Sequence, residues 1–121
     1  MTKAAAIYTF WNRFLTSYEE NSVPNDATFP YITYQLVTDS FGNEVQTTAS
    51  IWYRGSSWVE INAKAEEISK AIGRGGVFLD CDGGKIWLER GTPFAQNMGD
   101  TTDNLIKRKY LNLTAEFLTV D

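Results

Sequence analysis

The clearest pattern of apolar and polar positions lies between residues 57 and 73. Trp58, Ile61, Ala65, Ile68 and Ile72 recur at three- and four-residue intervals, so they line one face of a helix. Glu60, Lys64, Glu67 and Lys70 fall on the opposite, wet face. Ser57-Trp58-Val59-Glu60 fits a capping box at the start, and Gly73 is a C-terminal stop. A second helical stripe, Ile7, Trp11, Phe14 and Tyr18, widened by Phe10 and Leu15, predicts a helix over 3–20 that ends in the loop formers Asn21-Ser22-Val23-Pro24-Asn25.

Alternation by two marks the remainder. Strands are predicted over 31–38 and 44–54, joined by Phe41-Gly42-Asn43. Val77-Phe78-Leu79, a Gly83-Gly84 turn and Lys85–Arg90 form another hairpin. A polar loop is expected from Phe94 to Asp103. A long last strand follows over 105–120, where Leu111, Leu113, Ala115 and Phe117 alternate with Asn112, Thr114 and Glu116. The order αββαβββ predicts an α+β domain with two helices packed on one face of a largely antiparallel sheet.

The first arm of the first hairpin is unusual. In FPYITYQLVTD, Tyr31, Thr33, Gln35 and Val37 share one face and Ile32, Tyr34, Leu36 and Thr38 the other, and neither face is cleanly polar. One face packs on the core, which leaves the question of what covers the other.

The 121 residues, 43% hydrophobic and 14% aromatic, suit one domain spanning 1–121 with a single core. No run of apolar residues is long enough to cross a bilayer, and the start of the chain does not read as a signal peptide, so folding in a cytoplasm is expected. The single Cys81 forms no disulfide within the chain and builds no Cys-type zinc site by itself. Its acidic neighbours disfavour a reactive thiolate. A net charge of −4 argues against a nucleic-acid binder or an anionic-membrane binder. Lys107-Arg108-Lys109 reads as a solvated strand end, with Arg108 pointing away from its two neighbours.

Equipment for chemistry is sparse. With no histidine, Ser-His-Asp and Cys-His sites, His-built zinc sites and the usual neutral-pH proton shuttle are excluded. Asp80-Cys81-Asp82-Gly83-Gly84 fails as a calcium loop, because its fifth and twelfth positions are Gly84 and Gly91. Asp80 and Asp82 would lie about 7 Å apart on one strand face, within reach of paired-carboxylate chemistry, although a solvated hairpin accounts for them as well. Gly73-Arg74-Gly75-Gly76 closes a helix instead of opening one, which is the wrong context for a phosphate loop. Asp100 and Asp103 either hold a cation or keep a loop soluble. No catalytic residue, metal site or cofactor is expected, and the chain reads as a non-enzyme.

The element order and local sequences resemble the tail completion or tail terminator proteins of long-tailed bacteriophages. The likeness rests on Phe29-Pro30-Tyr31-Ile32-Thr33-Tyr34, similar to the family's P-Y-(I/V)-(T/V)-Y entry strand, and on the polar hairpin with Ile51-Trp52-Tyr53. It also rests on the helix WVEINAKAEEISKAIG and the long closing strand. The resemblance covers nearly the whole chain. It implies a structural protein that forms a ring, typically a hexamer, at the head-proximal end of the tail. That ring ends tail-tube growth and contacts the tube protein and a head connector protein, with DNA only as passing cargo and no membrane. Location in the virion, after folding in the host cytoplasm, follows from the same likeness. A ring of identical subunits needs two different contact surfaces, and large amphipathic aromatics suit them. Tyr31, Tyr34, Trp52, Tyr53, Trp87 and Tyr110 are the candidates for a subunit or tube interface, with strand parity left open. Asp39, Glu44, Asp100 and Asp103 are candidates for loops lining the channel, where acidic charge repels DNA phosphate. The alternatives are another small head–tail connector protein, a monomeric ligand-binding module using an aromatic sheet face, and an enzyme built on Asp80 and Asp82.

Overall fold

A computed structural model describes residues 1–99 and 102–121. The elements run α1 (Lys3–Asn12), β1 (Ser17–Glu19), β2 (Tyr31–Tyr34), β3 (Val45–Arg54), α2 (Val59–Ile72), β4 (Val77–Cys81), β5 (Gly84–Gly99) and β6 (Ile106–Thr119). The fold is the expected α+β, with two helices against a curled, mostly antiparallel sheet and one strand more than anticipated. The strand order is β1-β2-β3-β6-β5-β4, and only the β1–β2 pair is parallel.

The sheet has one packed side. Ile32, Ile51, Ile86, Leu111, Leu113 and Phe117 all point to it and are at most 1% exposed. Both helices lie over this side. The α2 stripe predicted from the sequence is the one that buries: Ile61, Ala65, Ile68 and Ile72. Trp58 is half-buried at its head. From α1 come Ala6, Phe10 and Trp11, with Phe10 edge-on to both Trp11 (5.0 Å) and Phe14 (5.3 Å). Side chains of that size stabilise by about 1.5–3 kcal/mol each when fully buried.

Four expectations are corrected. Helix α1 ends at Asn12 instead of near residue 20. Asn12 Oδ1 accepts the Ser17 amide at 3.2 Å, and the Ile32 amide donates to Thr16 at 2.9 Å, so the backbone after the helix finds partners in the sheet. Tyr18 therefore sits on β1, and its helical spacing from Phe14 is coincidental. Strand β2 stops at Tyr34. Only Gln35 extends the pairing, through its amide to Thr48 at 2.9 Å. The capping box at α2 does not form. Trp58 is the N-cap and makes no side-chain cap bond, while Ser57 Oγ accepts the Val59 amide at 3.1 Å. Lastly, the expected loop over 94–103 is largely strand. β5 continues to Gly99, interrupted by a bulge in which Gly91–Phe94 sit opposite Asn112 alone. Gly91 fits there because a Cβ would stand 2.9 Å from the Asn112 backbone.

Candidate interaction surface

The helices leave the other side of the sheet bare, and register decides what stands on it. Tyr31 pairs with Trp52, Trp52 with Arg108, and Arg108 with Met98, so one row crosses β2, β3, β6 and β5. The Tyr31 and Trp52 rings stack at 6.2 Å with 20° between planes. The Arg108 guanidinium lies 4.9 Å from the Trp52 ring centroid and 5.3 Å from that of Tyr110. Tyr18 and Phe29 extend the cluster, with centroids 5.9 Å and 5.3 Å from Tyr31.

Hydrogen bonds fix the row. Trp52 Nε1 donates to Thr33 Oγ1 at 2.9 Å, and Arg108 Nε donates to the buried Ser50 Oγ at 3.0 Å. The two terminal nitrogens of Arg108 have no protein partner among the described residues. Since no buried side-chain nitrogen or oxygen there lacks one, those nitrogens are reached by solvent. The row is thus a half-buried aromatic surface holding one oriented, outward-facing cation, a composition enriched at protein interfaces.

The aromatic candidates from the sequence divide by strand parity. Tyr31, Trp52 and Tyr110 belong to the bare face. Tyr34 does not: it is 5% exposed and lies in the core beside Ala49, because it shares parity with Ile32. Tyr53 points to the helix side, half-buried near Lys64, Glu60 and Glu67 of α2. Trp87 is on the bare side but apart from the row. It stacks on Phe78 at 5.9 Å and donates to the Gly75 carbonyl at 2.9 Å. Tyr18, Phe29, Arg108 and Met98 were not anticipated. Parity with Tyr110 was a usable signal for Arg108, but its placement on Trp52 depends on inter-strand register.

The acidic candidates do not converge. Asp39 and Glu44 are exposed in the β2–β3 loop. Asp103 is half-buried at the other end of β3, where its carboxylate meets Arg54 at 3.3 Å and accepts the Leu105 amide at 2.9 Å. The ten residues of β3 put about 30 Å between these ends. Asp100 lies outside the described residues. The Asp80 and Asp82 carboxylates each meet a separate cation. Asp80 is paired with Lys85, and Asp82, in the β4–β5 turn, holds the Met1 ammonium at 2.7 Å. Among the described residues no group of three or more Cys, Asp or Glu is placed to hold a metal ion. Between α1 and the sheet, Phe10, Trp11, Leu79, Ile86 and Leu88 line an apolar cavity of about 20 Å³, room for roughly one water and too little for an organic ligand.

The basic cluster is not a solvated strand end. Lys107 is 8% exposed, bonds to the Asn104 carbonyl and lies 5.7 Å from the Trp58 ring centroid. Lys109 donates to Asn62 Oδ1 at 2.7 Å and Asn97 Oδ1 at 2.8 Å. Burial pushes the Lys109 pKa below its ordinary value, partly offset by Glu66. Burial raises those of Tyr31, Tyr34 and Tyr53, with Tyr18 adding to the shift of Tyr31 and Glu19 and Tyr8 to that of Tyr34.

These shifts act in opposite directions. Tyrosines whose folded pKa exceeds the unfolded value contribute stability below pH 10 that is lost as pH rises through the folded pKa. Lys109 does the reverse, since its cost disappears as pH rises towards the ordinary lysine value of 10.5. Thermal melts from pH 8 to 12 are expected to show stability falling above pH 10. Lys109→Met is expected to remove the opposing gain, which is complete by about pH 10.5, and to leave the fall above that pH unchanged. A melting temperature that stays flat above pH 10 would contradict this account.

Comparison with protein-family models and with curated proteins finds no match to this chain.

Proposed function

We propose that the chain is a structural subunit that assembles with copies of itself into a ring at the head-proximal end of a bacteriophage tail. There it ends tail-tube growth and joins tail to head. The observation that carries this reading is the Tyr31–Trp52–Arg108–Met98 row, an amphipathic surface left bare on a sheet whose other side buries the whole core. Rows of this composition suit a protein contact, because aromatics lose little conformational entropy and an oriented guanidinium adds specificity. The likeness of the Phe29–Tyr34 and Ile51–Tyr53 segments to tail terminator proteins supplies the particular assembly. In this reading the chain is not an enzyme. Its partners are itself, most simply as a hexamer, the tube protein and a head connector. It works in the virion after folding in the host cytoplasm, and DNA passes without being bound.

Locating the tagged protein in particles by electron microscopy tests the assignment. Density is expected at the head–tail junction, and density anywhere else overturns it. Tyr31→Glu provides a second measurement. Its side chain is outside the core, so the far-ultraviolet circular dichroism spectrum is expected to stay that of the wild type. Incorporation into particles is expected to fall at least tenfold, from burying an unpaired charge at the contact.

A further inference from the structure

The bare row has an acidic counterpart elsewhere on the same chain. The β2–β3 loop carries Asp39-Ser40-Phe41-Gly42-Asn43-Glu44, and Phe41 at its tip is 73% exposed, the most exposed aromatic ring among the described residues. Lys3 Nζ holds the Asp39 carbonyl at 2.7 Å, which ties the loop to the start of α1. No cation pairs with the carboxylates of Asp39 or Glu44 among the described residues. The loop thus presents one aromatic ring flanked by two acids. The row presents an aromatic floor with the guanidinium of Arg108 turned outward.

We propose that the row of one subunit receives the Asp39–Glu44 loop of a second copy, with Phe41 on the Tyr31–Trp52 floor and Glu44 or Asp39 against Arg108. The contact cannot form within one chain. Val45 and Trp52 lie on the same strand, seven steps apart, about 23 Å by strand rise, and the loop leaves β3 at the end far from the row. Joining different patches of two identical subunits gives a heterologous, head-to-tail contact, the type that closes into rings. Opposite charge orients the encounter, and the aromatic floor excludes water from it. The inference rests on the ring reading and names its subunit contact.

Replacing Phe41 by the photo-crosslinker benzoylphenylalanine tests it, using the full chain at concentrations up to millimolar. The expected product is a covalent dimer whose linked peptide contains Tyr31, Trp52 or Arg108 of the other copy. Sedimentation of point variants supplies independent readouts. Phe41→Ser and Arg108→Glu are each expected to weaken self-association by roughly tenfold or more. Phe41→Ser keeps the wild-type melting curve, whereas Arg108→Glu melts somewhat lower through loss of its bond to Ser50, so association is read well below that transition. Mixed together they are expected to form dimers and nothing larger, since only one intact knob can meet one intact socket. Arg108→Glu combined with Glu44→Arg is expected to recover association. Absence of any crosslink at millimolar concentration, a crosslink mapping elsewhere, or association unaffected by Arg108→Glu each overturns the proposal. A junction position in particles together with any of these results would leave the ring reading standing and this contact refuted.

Discussion

Phe117→Ala is expected to cost about 3–5 kcal/mol of folding stability. That is a large share of the roughly 5–15 kcal/mol typical of a whole domain. Phe117 is fully buried on β6, the strand that pairs with both β3 and β5, and it stands directly opposite Ile86. Its removal leaves a void where the sheet meets the start of α1, whose Lys3 ammonium lies 5.8 Å from the ring centroid. That helix has only ten residues, too few to hold itself together without tertiary contacts, so its docking depends on the core that the substitution empties. Urea denaturation reads the effect as a lower midpoint with unchanged slope. Phe117→Leu keeps most of the volume and should cost nearer ~1 kcal/mol. Equal losses for the two variants would mean that packing around residue 117 is not what sets its contribution.

The second large effect is expected from Gly84→Ala. Gly84 begins β5 with a φ of 155°, and a Cβ there would stand 2.0 Å from the Leu118 carbonyl oxygen. The obstruction is backbone, so it cannot rotate away. The substitution is expected to cost at least the ~1–3 kcal/mol of a strained backbone conformation. It also displaces the Gly84–Thr119 pair and the neighbouring bond from the Val120 amide to the Gly83 carbonyl. Faster amide hydrogen exchange confined at first to residues 118–120 is the signature of that mechanism. Gly55→Ala serves as the control. Nothing lies within 4 Å of a Cβ at Gly55, so its midpoint should barely move. An equally silent Gly84→Ala would mean that the close approach of β5 to Leu118 is relieved at no cost.

Legibility in the sequence followed the range of the interactions. The α2 stripe and the alternation of β6 were readable because a single element's periodicity reports its own buried face. The strand-rich second half, with Gly73 and the Gly83 turn as punctuation, was enough to give the α+β class. Sequence spacing carries helix α1 too far because Tyr18 continues a helical stripe, yet from Thr16 to Glu20 the backbone pairs with β2, about fifteen residues further on. The segment Ala95–Gly99 looked like a loop because its polar residues show no alternation, and β6 supplies the partner that makes it strand. Residue type alone groups Tyr34 and Tyr53 with Tyr31, whereas their parity points them to the helix side.

The sequence by itself determined the classes of element, the apolar faces of α2 and β6, and the lack of histidine-based chemistry, since each of these is a property of neighbouring residues or of composition. Only the tertiary structure decided which aromatics remain outside the core and that Arg108 rests on Trp52. It alone set Asp39 and Glu44 at the opposite end of β3 from Asp103. The reason is register. A strand's side chains alternate in direction, so a shift of one residue in pairing exchanges its two faces. That pairing is fixed by contacts between segments far apart in the chain, which no local pattern encodes.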